Sequence, residues 1–213
     1  MRGRLVPFPH RHFRDMSPAL VIVDVQNDFC GGGALAVPDA EAILPVVNDL
    51  IGSFLHVVAS QDWHPPGHVS FASSHHGRRP FSSIRLPGGE QSLWPDHCVQ
   101  DTWGAGLHPD LRLPPDATII RKGFRPAIDS YSAFFENDGT TPVGLDAVLR
   151  SRNVREVVLV GLATDVCVLH TALDARRLGY ATTVVEAGCR GIDADGSLAA
   201  AWDRLARAGV RRA

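Results

Sequence analysis

The chain contains a single lysine. Of its 21 lysine and arginine side chains only Lys122 is not arginine, so the one amine with a tunable pKa stands apart from a background of guanidinium groups. No apolar run approaches the ~18 residues of a membrane-spanning helix, which predicts a chain that does not cross a bilayer. Basic stripes and charged tails are missing too, and the net charge is only −2, which disfavours nucleic acid or a membrane surface as partner and suits a small, near-neutral substrate. No C-x-x-C pair occurs among the four cysteines, Cys30, Cys98, Cys167 and Cys189, so a structural zinc finger is not indicated and reduced thiols are expected. Internal repeats and low-complexity tracts are absent.

What is present alternates between strand-like and helix-like patterns, the signature of βαβ units around a mostly parallel sheet. Strands are predicted over 19–25, 56–61, 117–121, 156–162 and 182–186. A helix is expected to start near Asp39, with that carboxylate as its cap and Ile43, Val46, Val47, Leu50, Ile51 and Phe54 as its buried stripe. Further helices are expected near 144–152, 165–178 and 196–208, giving a three-layer αβα sandwich. The stretch from Asp62 to about Pro115 reads as irregular, and a loop of that length is either functional or hides short elements. Residues 1–15 mix arginine and histidine with two prolines and lack a signal-type apolar segment, so they read as a disordered arm ahead of one domain over 16–213. Met16 is an alternative start, and a cytoplasmic location is expected.

Three strands each deliver a reactive side chain at or beyond the carboxyl end: Asp24, Lys122 and Cys167. Ligands of open α/β sheets bind at those ends, so an acid, an amine and a thiol are expected to share one crevice. If Thr164 caps the following helix, Cys167 is its third residue, and backbone N–H groups of Ala163 and Cys167 are candidates for an oxyanion hole. Asp24 interrupts an apolar run, and burial should raise its pKa enough to take the thiol proton. A structural Asp24–Lys122 ion pair is the plainer alternative. Asp28, past the strand end, is expected to fix the loop.

Asp62 and His64 alternate at strand period two and so point to one side, as two metal ligands from one segment must. His97 is the candidate third ligand and His68 a candidate fourth. One carboxylate with two or three imidazoles suits a divalent ion, zinc first and iron or manganese next. His75 and His76 read as solvated, and His56, His108 and His170 as structural. Phe29, Trp94 and Tyr131 flank the acid, the metal segment and the lysine, where they could wall a planar ring.

The segments Val23-Asp24-Val25-Gln26-Asn27-Asp28-Phe29, Ser60-Gln61-Asp62-Trp63-His64-Pro65, Trp94-Pro95-Asp96-His97-Cys98-Val99, Lys122-Gly123, Asp129-Ser130-Tyr131-Ser132-Ala133-Phe134-Phe135 and Gly161-Leu162-Ala163-Thr164-Asp165-Val166-Cys167-Val168 resemble, in order, those of nicotinamidases in the isochorismatase-like cysteine hydrolase superfamily. The resemblance runs from about Pro18 to Gly209. It implies that nicotinamide, and related amides such as pyrazinamide, are hydrolysed through a Cys167 acyl-enzyme. Asp24 would serve as base and Lys122 as charge stabiliser. It further implies a cis peptide between Leu162 and Ala163, and a metal at Asp62, His64 and His97 that holds the pyridine nitrogen. Phe29, Trp94 and Tyr131 would line the ring pocket, and a homo-oligomer stays open. Two departures are the N-terminal arm and the early stop at Ala213, which predicts a missing or frayed edge strand. Alternatives are a metal-independent amidase or carbamoyl hydrolase and, from another class, a zinc-binding redox or structural module using Cys98 and Cys167.

Overall fold

A computed structural model describes residues 17–86 and 89–213; the expected N-terminal arm and Met16 lie outside the described residues. Six parallel strands form one sheet: β1 (Ala19–Val23), β2 (His56–Asp62), β5 (Thr118–Lys122), β6 (Glu156–Leu162), β7 (Ala181–Arg190) and β8 (Arg211–Arg212). Their spatial order is β5-β2-β1-β6-β7-β8. The chain therefore winds outward from β1 in one direction, then returns to lay β6 on the other side of β1. That reversal opens a crevice beyond the carboxyl ends of β1 and β6, where no crossover covers the sheet.

The β1 sequence Ala-Leu-Val-Ile-Val is buried throughout, and its alternation sorts the two cores. Ala19, Val21 and Val23 pack with Leu145 and Leu149 of α2 (Leu145–Ser151), Leu169 and Ala172 of α3 (Leu169–Arg177), and Leu205 of α4 (Ser197–Arg207). Leu20 and Ile22 face the opposite layer, with Leu44, Val47 and Ile51 of α1 (Leu44–Ile51). Each such buried aliphatic side chain contributes about 1.5–3 kcal/mol. The αβα sandwich expected from the sequence is thus the observed fold.

Several local expectations need correction. Asp39 does not cap a helix with its side chain: it sits in the left-handed region at φ 53°, ahead of a 3-10 turn over Ala40–Ile43, and α1 starts only at Leu44 with a proline in its first turn. The stretch after Asp62 holds an antiparallel hairpin, β3 (Ser83–Leu86) with β4 (Gly89–Ser92). Strand β7 runs on to Arg190 instead of ending at Glu186, because a register shift opposite Leu159–Gly161 lets it keep pairing with β6. The edge strand expected to be missing or frayed is present but short, as β8, two exposed residues paired to Thr183 and Val184.

Candidate active site

Lys122 is the last residue of β5 and is fully buried. Its Nζ donates to Asp62 Oδ1 at 2.5 Å, to the Ser130 carbonyl at 2.9 Å and to Cys167 Sγ at 3.4 Å. Asp24 Oδ2 lies 2.9 Å from the same nitrogen. The chain leaves β1 at Asp24 with φ 49°, and the Ser60 hydroxyl donates to Oδ1 at 2.7 Å. Oδ2 is close to the ammonium but receives no well-directed hydrogen bond, so a lone pair at a buried oxygen remains available for a proton. One oxygen of Asp24, one of Asp62 and Cys167 Sγ all lie within 4.8 Å of one another.

Burial raises the Asp24 pKa, and the neighbouring ammonium only partly offsets this. Burial would lower the pKa of Lys122, but the charges of Asp24 and Asp62 outweigh it and hold the amine protonated. Burial likewise keeps Cys167 a thiol at rest, well above its ordinary pKa. A neutral sulfhydryl, a carboxylate made basic by desolvation and a permanent ammonium are the components of a proton transfer that creates a nucleophile on demand.

Cys167 is not the third residue of a helix capped by Thr164. Ala163 occupies the cap position, Thr164 is already inside the turn, and Thr164–Val168 form one π-helical turn in which the Ala163 carbonyl accepts the N–H groups of both Val166 and Val168 at 3.1 Å. The wider turn makes Cys167 its fourth residue. The peptide joining Leu162 to Ala163 is cis.

At the other end of the same cavity stand Asp62, His64 and His97. One donor atom from each lies within 4.8 Å of the others, with Asp62 Oδ2 at 3.6 Å from His64 Nε2 and 3.9 Å from His97 Nε2. Both rings are oriented from behind. His64 Nδ1 meets the Gly123 carbonyl at 2.9 Å and His97 Nδ1 the Pro95 carbonyl at 2.8 Å, which turns both Nε2 atoms toward Asp62. Two inward imidazoles and a carboxylate oxygen fit a divalent cation of the zinc type with coordination positions to spare. A side chain at Gly123, where φ is 64°, would put Cβ 2.4 Å from the His64 ring, so only glycine lets the two approach. His68 stays outside the Asp62-His64-His97 set, and with His64 and Asp129 it forms a separate group of donors within 4.8 Å of one another. Its Nδ1 pairs with the Ser70 hydroxyl at 2.7 Å and its Nε2 with the carbonyls of Arg125 and Ile128, while its ring lies 4.4 Å from that of His64.

Between thiol and donors lies a cavity, and Phe29, Trp94 and Tyr131 all line it. Trp94 and Tyr131 meet edge to face at 6.3 Å. Ala163 lines it as well. Sequence reasoning missed Leu35, Val166, Ile192 and the buried Asp129, which complete the wall. Asp129 opens the Asp-Ser-Tyr-Ser-Ala-Phe segment, but nothing in its spacing separated a pocket carboxylate from a loop one. Gln26 was missed for a different reason: its amide works on backbone, clasping Asp62 from both sides through Asp62 N–H to Oε1 (2.7 Å) and Nε2 to the Asp62 carbonyl (2.9 Å). Asp28 ties loops together, accepting the N–H groups of Ala34 and Cys98. His76 is exposed, whereas His75 is half-buried and bonded to the Val69 carbonyl, not solvated. All four cysteines are free, and among the described residues no cluster of potential metal donors includes Cys98.

The chain has close relatives among known proteins. A nicotinamidase of Acinetobacter baylyi is 51% identical over 194 residues, 91% of each chain. A solved nicotinamidase/pyrazinamidase of Acinetobacter baumanii superposes with a TM-score of 0.91 at 53% identity, covering 92% of this chain and 95% of that one. A pyrazinamidase of Pyrococcus horikoshii, solved in complex with zinc, gives 0.77 at 35% identity over 92% and 98% of the two chains. The family model described as the isochorismatase domain matches residues 18–211. The chain belongs to the isochorismatase family, and within it to the enzymes that hydrolyse amides.

Proposed function

We propose that the chain hydrolyses nicotinamide to nicotinate and ammonia, through a thioester on Cys167. The observation that carries the reading is a single aromatic-walled cavity with a thiol at one end and an Asp-His-His donor set at the other. A planar ring bearing an amide on one side and a basic nitrogen on the other matches both ends at once. In attack, Asp24 Oδ2 takes the Cys167 proton as sulfur bonds to the amide carbon. The Lys122 ammonium balances the charge that appears among three buried groups. When the carbon–nitrogen bond breaks, Asp24 returns that proton to the leaving nitrogen, which departs as ammonia. Water then adds to the thioester with Asp24 again as base, and nicotinate leaves as the thiol re-forms. N–H groups of Ala163 and Cys167 are assigned to the oxyanion, each such donor being worth about 3 kcal/mol.

Asp62, His64 and His97 would hold zinc, iron or manganese, zinc being our first assignment. The bound ion would take the ring nitrogen, fixing the ring and withdrawing charge from it. Phe29, Trp94 and Tyr131 sandwich the ring and exclude water. Pyrazinamide, which keeps a ring nitrogen and a carboxamide, is expected to be a second substrate. Ammonia release from nicotinamide, before and after dialysis against a chelator and again after zinc is restored, tests the reading. Activity lost on chelation and regained with zinc supports it. Full activity after chelation would sink the metal assignment and favour a metal-independent amidase, and no release under any condition would sink the substrate.

A further inference from the structure

A second group of mixed donors lies outside the cavity and shares no residue with it. Cys30, Glu41 and His108 each offer one donor atom, and the three lie within 4.8 Å of one another. They come from three segments: the loop after β1, the 3-10 turn before α1, and the long connection leading to β5. Each is anchored by backbone. Gly33 N–H donates to the Cys30 carbonyl at 2.9 Å, His108 N–H to the Val25 carbonyl at 2.9 Å, and Gly31 N–H to Glu41 Oε1 at 2.6 Å.

We infer that Cys30, Glu41 and His108 form a second cation site, for one thiophilic divalent ion of the zinc type. The donor set is thiolate, carboxylate and imidazole, which suits zinc or cadmium and is too soft for magnesium or calcium. A thiolate and a carboxylate neutralise the charge of a divalent ion, so the filled site is electrically balanced. Zinc bonds of 2.0–2.3 Å require donors roughly 3.5 Å apart, so side chains whose donors now lie within 4.8 Å close by at most about 1.3 Å. The exposed Glu41, exchanging its contact with Gly31 N–H for the ion, and the half-buried His108 can turn that far, while the buried Cys30 stays. His108 Nδ1 accepts the Asp110 N–H at 3.2 Å, an exposed contact that water replaces when the ring turns to an ion. The empty arrangement is poor for the thiol: burial, and then the Glu41 charge, push its pKa up to about 11. A bound cation removes both objections to the thiolate. Cys30 adjoins Phe29, and Leu35 follows in the same loop, so an ion here would pin the strip of chain that forms one wall of the catalytic cavity.

The inference does not depend on the amidase reading. Its test is a cadmium titration of zinc-loaded enzyme, with excess zinc removed, reading the ultraviolet thiolate-to-cadmium charge-transfer band. The Asp62-His64-His97 site has no sulfur and is silent in that band. Wild type and Cys167→Ser are expected to saturate the band at one cadmium per chain. Cys30→Ser should abolish it, and His108→Ala and Glu41→Gln should each weaken binding at least tenfold. Absence of the band in wild type, its survival in Cys30→Ser, or unchanged affinity in both other variants would overturn the site. Should Cys30→Ser fail to fold, the two more accessible substitutions decide the question alone.

Discussion

Replacing Lys122 by arginine keeps the charge and tests whether an ammonium is what the site requires. The lysine is fully buried, and its nitrogen faces four acceptors: Asp24 Oδ2, Asp62 Oδ1, the Ser130 carbonyl and Cys167 Sγ. A guanidinium brings five N–H donors in a rigid fork, so at least one is left without a partner, at a cost of about 1–3 kcal/mol. Its extra volume in a packed site costs about another 1–3 kcal/mol. Together these predict a loss of roughly 2–6 kcal/mol, which for a chain of this length lowers Tm by about 5–20 °C. The planar fork also cannot hold Asp24 and Cys167 at their present separations, and a displacement near 1 Å costs turnover about 10²-fold. Ammonia release under saturating substrate and a thermal melt measure both effects. Turnover within threefold of wild type, with an unchanged Tm, would refute the reasoning and make the lone lysine an accident of composition.

Other substitutions separate the two ends of the cavity. Cys167→Ala should abolish ammonia release while bound metal, measured by elemental analysis, stays at the wild-type level. Gly123→Ala should lower metal affinity about 10–100-fold, since the new Cβ displaces the His64 ring, and equilibrium dialysis reads this directly. His170, on α3 beside the Tyr131 ring, has its pKa pulled from 6.5 to about 4, first by burial and then by the charges of Arg204 and Lys122. Between those two pH values the unfolded chain binds a proton at this ring and the folded chain does not, so stability falls as pH drops through that window, by at most about 3 kcal/mol. His170→Gln should therefore flatten the decline of Tm between pH 6.5 and 4, and an identical decline in both proteins would contradict the assignment.

The strands that carry the chemistry were legible because each is short-range and emphatic. Ala19–Val23 and Glu156–Leu162 are near-continuous apolar runs, and a polar residue at the end of such a run has few explanations other than a site. The Asp62–His64 pair was readable from strand alternation alone. What escaped was either weak or long-range. The β3–β4 hairpin is built from Ser-Ile-Arg-Leu and Gly-Glu-Gln-Ser, too short and too polar to announce strands. The π-turn at Thr164–Val168 differs from a capped α-helix by one hydrogen-bond register, which side-chain identity does not encode. Strand β7 outran its apolar core because it carries the extra residues of a bulge between Val184 and Cys189 and then resumes pairing with β6. Asp129 and Gln26 depend on partners far away in sequence, on His64, Gln91 and Asp62, and only folding reveals such company.

Asp62 faces two ways. One oxygen sits 2.5 Å from the Lys122 ammonium, and the other looks toward the paired imidazoles. Whatever draws electron density to the imidazole side leaves less for the amine, which must then lean harder on Asp24, the group proposed above to exchange protons with sulfur. In the mechanism proposed above, ring capture and bond cleavage would thus be wired through a single side chain, so that a change of grip on one end of the substrate would retune the reactivity at the other.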